Sequence, residues 1–375
     1  MPESIGRVVR TGVPLRVGAA AVAALAVMAA LLCAPQRARA STPIPALAYY
    51  YIWYEPTSWQ RPKTTYPVLG HYSSDDVRVL RRHVALAQDA GLTGFIVSWK
   101  STPKLNRRLA KLIRIAAAAD FKLAIIYQGL NFSRNPLPVE RVASDLKLFA
   151  RRFGSAAPFG LEDKPVVIWS GTWKFTTEQV KWVARQVRSK VLLLASEKSV
   201  AGYRRLERFV DGDAYYWSSV DPARTPGYAE KLQDMSAAVH ELAGLWIAPA
   251  APGFDARLVG GTRVVDRRDG TTLRQEWNTA LASSPDAVGL ISWNEFSESS
   301  EIEPTLAFGS KYLDLVKDIV GGKLTVEGDF DSSDTPPKQF GYAVPLLIGV
   351  GAVLLAGLGA FVWRRELKRA IGRVT

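Results

Sequence analysis

What most constrains this chain is a repeat of pattern rather than of residues. Between Ala46 and Val320, short apolar runs rich in β-branched and aromatic residues alternate with longer stretches of helical period, and the pair recurs eight times. The strand-like runs are Ala46–Trp53, Gly94–Trp99, Lys122–Tyr127, Pro165–Trp169, Lys190–Ser196, Ala214–Trp217, Gly244–Pro249 and Val288–Trp293. The helical stretches are Ser74–Ala90, Lys104–Asp120, Val139–Phe153, Thr177–Arg188, Val200–Val210, Tyr228–Leu242, Thr272–Ala282 and Ser310–Val320. Capping residues stand before three of them: Ser73-Ser74-Asp75-Asp76, Thr176-Thr177-Glu178, and Asp269 with Gly270. A strand-then-helix unit repeated in this way predicts an α/β chain folded as a (β/α)8 TIM barrel. A doubly wound open sheet is the competing architecture. No Gly-x-Gly-x-x-Gly follows the first run, which argues against its dinucleotide-binding form.

The two ends differ from this body. In residues 1–40, Arg7, Arg10 and Arg16 precede an apolar run from Val17 to Ala34, and Ala38-Arg39-Ala40 offers a small-x-small cleavage site, the pattern of an export signal. The run is long enough to leave an uncleaved anchor open. The single cysteine, Cys33, lies inside this segment, so the exported part holds no disulfide. At the other end, residues 342–363 contain an uncharged stretch from Ala343 to Trp363, about the length that crosses a bilayer. The tail 364–375 is basic, which keeps it on the cytoplasmic side. A Gly- and Asp-bearing segment with few apolar residues, 321–341, reads as a flexible linker. The expected organisation is therefore signal peptide, body over 41–320, linker, single membrane span and cytoplasmic tail, with the body outside the cell membrane and the bilayer as one partner. Of the formal net charge of +13, +4 lies in residues 1–40 and +4 in residues 364–375. The basic balance reflects topology, and no nucleic-acid partner is implied.

In a (β/α)8 barrel, function sits at the C-terminal ends of the strands. Those ends carry Tyr50, Tyr51, Trp53 and Tyr54, then Trp99, then Tyr127 and Gln128, then Trp169, then Tyr216 and Trp217, then Phe254 and Asp255, and last Asn294, of which all but Tyr51 and Tyr216 are taken as binding candidates. Aromatic faces stack on the C–H-rich faces of sugars, and amides and carboxylates bind hydroxyls. Packing of the barrel top by the same aromatics is the plain alternative for any one of them, but their collective placement favours a carbohydrate cleft.

The last run, Ala287 to Trp293, opens onto four carboxylates within nine residues: Glu295, Glu298, Glu301 and Glu303. Crowded carboxyls raise one another's pKa, which suits one as proton donor and another as base. Acetal cleavage needs such a pair, and Glu295 and Glu298 are the catalytic candidates. Asn294 is placed to hold a substrate hydroxyl or orient Glu295. Glu303, before Pro304, reads as an acceptor that fixes the loop, and it completes the binding candidates. Other chemistries lack their residues. Only His71, His83 and His240 occur, without His-x-His or His-Glu-x-x-His, and no Gly-x-Ser-x-Gly or phosphate-cradling loop is present. No metal or cofactor is expected.

The stretch Asn294-Glu295-Phe296-Ser297-Glu298-Ser299-Ser300-Glu301-Ile302-Glu303-Pro304 resembles the last-strand motif of glycoside hydrolase family 99, the endo-α-1,2-mannosidases and mannanases, which reads roughly Asn-Glu-Trp-His-Glu-Gly-Thr-Gln-Ile-Glu-Pro. Tyr49 to Tyr54 is similar to the family's first-strand Tyr-Tyr-x-Trp-Tyr, and Gly70 to Ser74, Arg81 to His83 and Gly91 to Trp99 resemble its first helix and second strand. Pro252-Gly253-Phe254-Asp255 stands where the family has Pro-Gly-Tyr-Asp. The resemblance implies an endo-acting, retaining α-mannosidase working through a 1,2-anhydro sugar. Glu295 would be base to the 2-hydroxyl, and Glu298 acid to the leaving group and then base to water. Its partner would be an oligo- or polysaccharide, an α-mannoside by the same resemblance. Phe254, Phe296, Ser297 and Glu301 depart from the pattern, so a different linkage, or a barrel that binds glycan without turnover, is the alternative.

Overall fold

The computed structural model describes residues 44–131, 133–156 and 164–321. The expected signal (1–40), the linker beyond Gly321, the membrane span (342–363) and the basic tail (364–375) lie outside the described residues. Among the described residues no helix is long and apolar enough to cross a membrane.

The strands are β1 (Ala46–Tyr51), β2 (Gly94–Trp99), β3 (Lys122–Gln128), β4 (Val166–Ser170), β5 (Leu192–Ala195), β6 (Gly212–Ala214) and β7 (Leu245–Ala250), a hairpin of β8 (Phe254–Asp255) with β9 (Val264–Val265), and β10 (Ala287–Leu290). All but the hairpin close into an eight-stranded parallel barrel, with β10 seated between β7 and β1. The helices are α1 (Val77–Asp89), α2 (Pro103–Ala118), α3 (Val139–Arg152), α4 (Thr177–Val187), α5 (Val200–Arg204), α6 (Tyr228–His240), α7 (Thr271–Ala282) and α8 (Lys311–Val320). One helix follows each barrel strand, so the predicted (β/α)8 barrel is the observed fold and the open sheet is excluded.

Side-chain alternation along each strand divides the core into two layers. Leu47, Tyr49, Ile96, Ile126, Ile168, Leu194 and Ile247 fill the barrel interior. Their neighbours Tyr50, Phe95, Val97, Trp99, Tyr127, Trp169 and Trp246 face outward into the helices. Each helix meets them with one apolar stripe, as α1 does with Leu80, His83, Val84 and Ala87. Burying one such large apolar side chain contributes about 1.5–3 kcal/mol. Gly289 in β10 leaves room for the Tyr49 ring, since a Cβ there would lie 2.8 Å from Tyr49 Cε2.

Local signals fix most helix starts. Asp76 accepts from the Arg78 amide ahead of α1, Thr102 from Leu105 ahead of α2, and Thr176 closes a capping box with Gln179 ahead of α4. Asp269 does not cap α7; that place is held by Gly270 at φ 98°, and Asp269 is itself left-handed and ion-paired with Lys311. The expected helix Val200–Val210 stops at Arg204, where the amides of Leu206 and Glu207 both turn back to the Tyr203 carbonyl at 2.7 and 2.9 Å. The sixth strand ends at Ala214, earlier than Trp217; the Tyr215 amide still donates to the Ile247 carbonyl of β7 at 3.2 Å, and Tyr216 and Trp217 continue beyond the strand.

Candidate active site

The loop after β10 is folded back on itself and tied to the end of β1. The Ser292 amide donates to the Ser300 carbonyl at 2.7 Å, and Ile302 and Glu303 return amides to Ser292 and Trp293 at 2.9 Å each. Asn294 clamps this loop to β1. Its Oδ1 accepts from the Tyr51 amide at 2.9 Å and its Nδ2 donates to the Tyr51 carbonyl at 3.1 Å. Tyr54 adds a hydroxyl donated to the Asn294 carbonyl at 2.6 Å. Glu303 anchors the far end, accepting from Tyr72 at 2.8 Å and lying 3.1 Å from His83 Nε2, whose other nitrogen is 2.8 Å from the Tyr50 hydroxyl. Every member of this chain is buried. Buried polar groups that are all partnered hold one geometry, and the geometry held here is that of Glu295.

Glu295 receives the amide of Ser297 at 3.2 Å on Oε1, and its own amide donates to Ser292 Oγ at 2.9 Å. Burial pushes its carboxyl up to about 7, opposed by the Ser297 amide and the Lys63 ammonium. Glu298 is raised well above the ordinary carboxylate range, by burial first and by the charge of Glu295 second, with Arg134 opposing. Its Oε2 makes no hydrogen bond among the described residues. Donors thus favour the anion at Glu295, while that anion favours the proton at Glu298. Between them this pair can hold one base and one acid near neutral pH. Tyr51 and Tyr216, hydrogen-bonded hydroxyl to hydroxyl across the mouth, have their phenols raised by burial and by both carboxyls. Tyr49 lies beneath, its ring 4.5 Å from that of Tyr216.

The other sequence candidates separate by layer. Trp53 is open to solvent at 41% exposure and stacks on Tyr51 with centroids 4.3 Å apart. Gln128, on the inward parity of β3, donates to Ser98 Oγ at 3.1 Å at the mouth. Tyr50, Trp99, Tyr127 and Trp169 do not line the cleft. Strand alternation turns all four outward, where Tyr50 meets His83, Trp99 meets Asn106 at 3.0 Å, Tyr127 donates to Asp145 at 3.0 Å and Trp169 packs on Phe175. Trp217 is buried beside Trp173 and Tyr215, under the Lys198 ammonium. Phe254 packs into the small cluster of the β8–β9 hairpin with Ala256 and Val265. The Asp255 carboxylate is taken by Arg257 at 2.6 Å, and only its amide meets the site, donating to the Glu298 carbonyl at 2.6 Å. Asn294, Tyr54 and Glu303 have their polar atoms engaged within the protein, so they hold the loop. Glu301 is neutralised by Arg267 at 2.7 Å, whose guanidinium lies over Phe308 and Tyr312 at 4.6 and 4.3 Å. Tyr51 and Tyr216 stand at strand ends in the sequence without entering its binding candidates, and Lys63 and Arg134 are not singled out there at all. The inward parity shared by Tyr49 and Tyr51 is the signal that finds the first of these. Among the described residues no group of three or more His, Cys, Asp or Glu is placed to hold a metal ion.

No family model and no curated protein matches the chain by sequence. Solved structures do match in fold. The GH99 endo-alpha-mannosidase of Bacteroides thetaiotaomicron superposes with a TM-score of 0.65 at 19% identity, over 74% of this chain and 96% of that one. A structure titled glycoside hydrolase-like protein gives 0.55 at 15% identity, over 74% and 95% of the two chains. An exo-beta-1,4-mannosidase from Opitutaceae bacterium strain TAV5 gives 0.50 at 11% identity, over 75% of this chain and 59% of that one. The chain has the barrel fold of these structures.

Proposed function

We propose that the protein is a retaining glycoside hydrolase that cleaves α-mannosidic bonds within glycan chains, with Glu295 and Glu298 as its catalytic pair. The observation that carries this reading is a pair of buried carboxyls on the loop after the last strand, Glu295 held by the Ser297 amide and Glu298 with an oxygen that makes no hydrogen bond among the described residues. The barrel's likeness to an endo-alpha-mannosidase supports the same choice of substrate. In the first step the Glu295 carboxylate takes the proton of the sugar 2-hydroxyl as that oxygen bonds to the anomeric carbon. The glycosidic bond breaks, and Glu298 gives its proton to the departing oxygen. In the second step Glu298, now ionised, takes a proton from water as the water oxygen attacks the anomeric carbon. The anhydro bond opens, and Glu295 returns the proton to the 2-oxygen. Two inversions at one carbon leave its configuration retained, within the substrate-assisted exceptions to the two-carboxylate scheme.

The test is hydrolysis of α-1,2-linked manno-oligosaccharides by the purified full chain beside its Glu298→Gln variant. Release of shorter oligosaccharides by the parent and its collapse in the variant are expected; equal turnover by the two defeats the assignment. Glycan binding with no product from either would instead favour a non-catalytic binding protein. The setting proposed for this activity is the outer face of a cell membrane, with one C-terminal span, on the apolar character of 342–363 and the basic flank behind it. Protease added to intact cells should then remove the barrel and leave the tail in the membrane fraction.

A further inference from the structure

On the side of the mouth built by the loops after β3 to β6, the aromatic rings are covered by cations. Lys198 Nζ lies 4.6 Å from the centroid of Trp173 and 5.4 Å from that of Trp217. Lys231 Nζ donates to the Tyr215 hydroxyl at 3.0 Å and lies 4.9 Å from the same ring, which is itself 4.6 Å from Trp217. Arg134, from the loop after β3, feels the charges of both Glu298 and Lys198. Lys198 and Lys231 are both partly buried. The ammonium of Lys198 is held below its usual range by burial first, then by the repulsion of Arg134 and Lys174. Glu197 relieves it in part, and Glu197 is already paired with Arg205 at 2.9 Å.

Gathering like charges in a half-buried place is unfavourable unless a counter-charge arrives. Stacking on Trp173 and Trp217 offsets part of that cost for Lys198 alone. A neutral sugar stacked on these rings would have to displace the ammonium.

We infer that the glycan residue bound on this side of the mouth carries an anionic group, a carboxylate, phosphate or sulfate, received by Lys198. The inference deepens the hydrolase reading and rests on it for the location of the site.

The test compares matched manno-oligosaccharides that are neutral, uronate-bearing or phosphate-bearing, as substrates of the purified full chain and as ligands of its Glu298→Gln variant in calorimetric titration. One anionic form or both should exceed the neutral one in kcat/KM and in affinity, by roughly 10- to 100-fold for a charge-assisted contact. That preference should shrink with added salt. Lys198→Gln should erase most of the preference and Lys198→Arg should retain it. Which of the two anionic forms is preferred identifies the group. Equal or better use of the neutral glycan overturns the inference and leaves the hydrolase reading standing, as does a preference that Lys198→Gln does not alter. If no glycan is cleaved, the hydrolase reading fails, and the titrations with Glu298→Gln still decide whether an anionic sugar is bound.

Discussion

Glu295 and Glu298 stand three residues apart on one loop, yet their surroundings divide the work between them. Glu295 has an amide and an ammonium on its side, and Glu298 has the charge of Glu295 against it. The reactive form holds Glu295 ionised and Glu298 protonated, so kcat/KM should fall as pH drops through about 7 and fall again once Glu298 ionises, a bell with apparent values belonging to the pair. Glu298→Gln should remove the alkaline limb and lower kcat by roughly 10²- to 10⁴-fold, with an unchanged circular dichroism spectrum. Lys63→Gln tests the cause of the acid limb. Because the Lys63 ammonium favours the Glu295 anion, its removal should move that limb to higher pH. An acid limb near 4.3, the ordinary value for glutamate, would show that burial does not govern this carboxyl.

The same strand that delivers one residue to the cleft delivers its neighbour to the core, and this decides what each aromatic does. Trp169 and Trp99 belong to the outward layer. Truncating either to Ala should cost about 3–5 kcal/mol in denaturant unfolding and leave KM unchanged. Trp53→Ala should do the reverse, raising KM several-fold while unfolding stays within about 0.5 kcal/mol of the parent. A KM effect from Trp169 would mean that the layer assignment fails. The eightfold strand-helix alternation was legible because each run carries its own period, and so were the caps at Asp76 and Thr176, which act within three residues. Choosing Tyr50 over Tyr51 shows where legibility stopped. A shift of one residue reverses the face, and composition does not set the register. The partners of the acidic loop were also hidden, since Glu301 meets Arg267 and Glu303 meets His83 from 34 and 220 residues away. Hence the sequence shows Glu301 only as one of four crowded carboxyls, although it is ion-paired with Arg267.

Taken as one molecule, the barrel spends stability to keep carboxyls dry. Glu295 and Glu301 are each pushed up to about 7 by burial, and Glu298, Asp213 and Glu276 are raised as well, again by burial first. In the unfolded chain these groups ionise near 4, so between that pH and the folded values the native state holds more protons than the unfolded one. Stability contributed by these groups is therefore complete below pH 4 and lost as pH rises towards 7 and beyond. Surface aspartates act in the opposite sense. Asp76 and Asp255, held low by hydrogen bonds from Arg78 and Arg257, withdraw their contribution as pH falls below about 4. The melting temperature should consequently peak near pH 5 and decline towards pH 8, by an amount to which Glu301 alone contributes on the order of 3 kcal/mol. Glu301→Gln isolates that share, because an amide can still accept from Arg267 and cannot ionise. The variant should match the parent near pH 4 and gain on it steadily up to pH 8 in thermal melts. A variant that falls increasingly below the parent as pH rises above 4 would mean instead that the Arg267 ion pair outweighs the burial of its carboxylate.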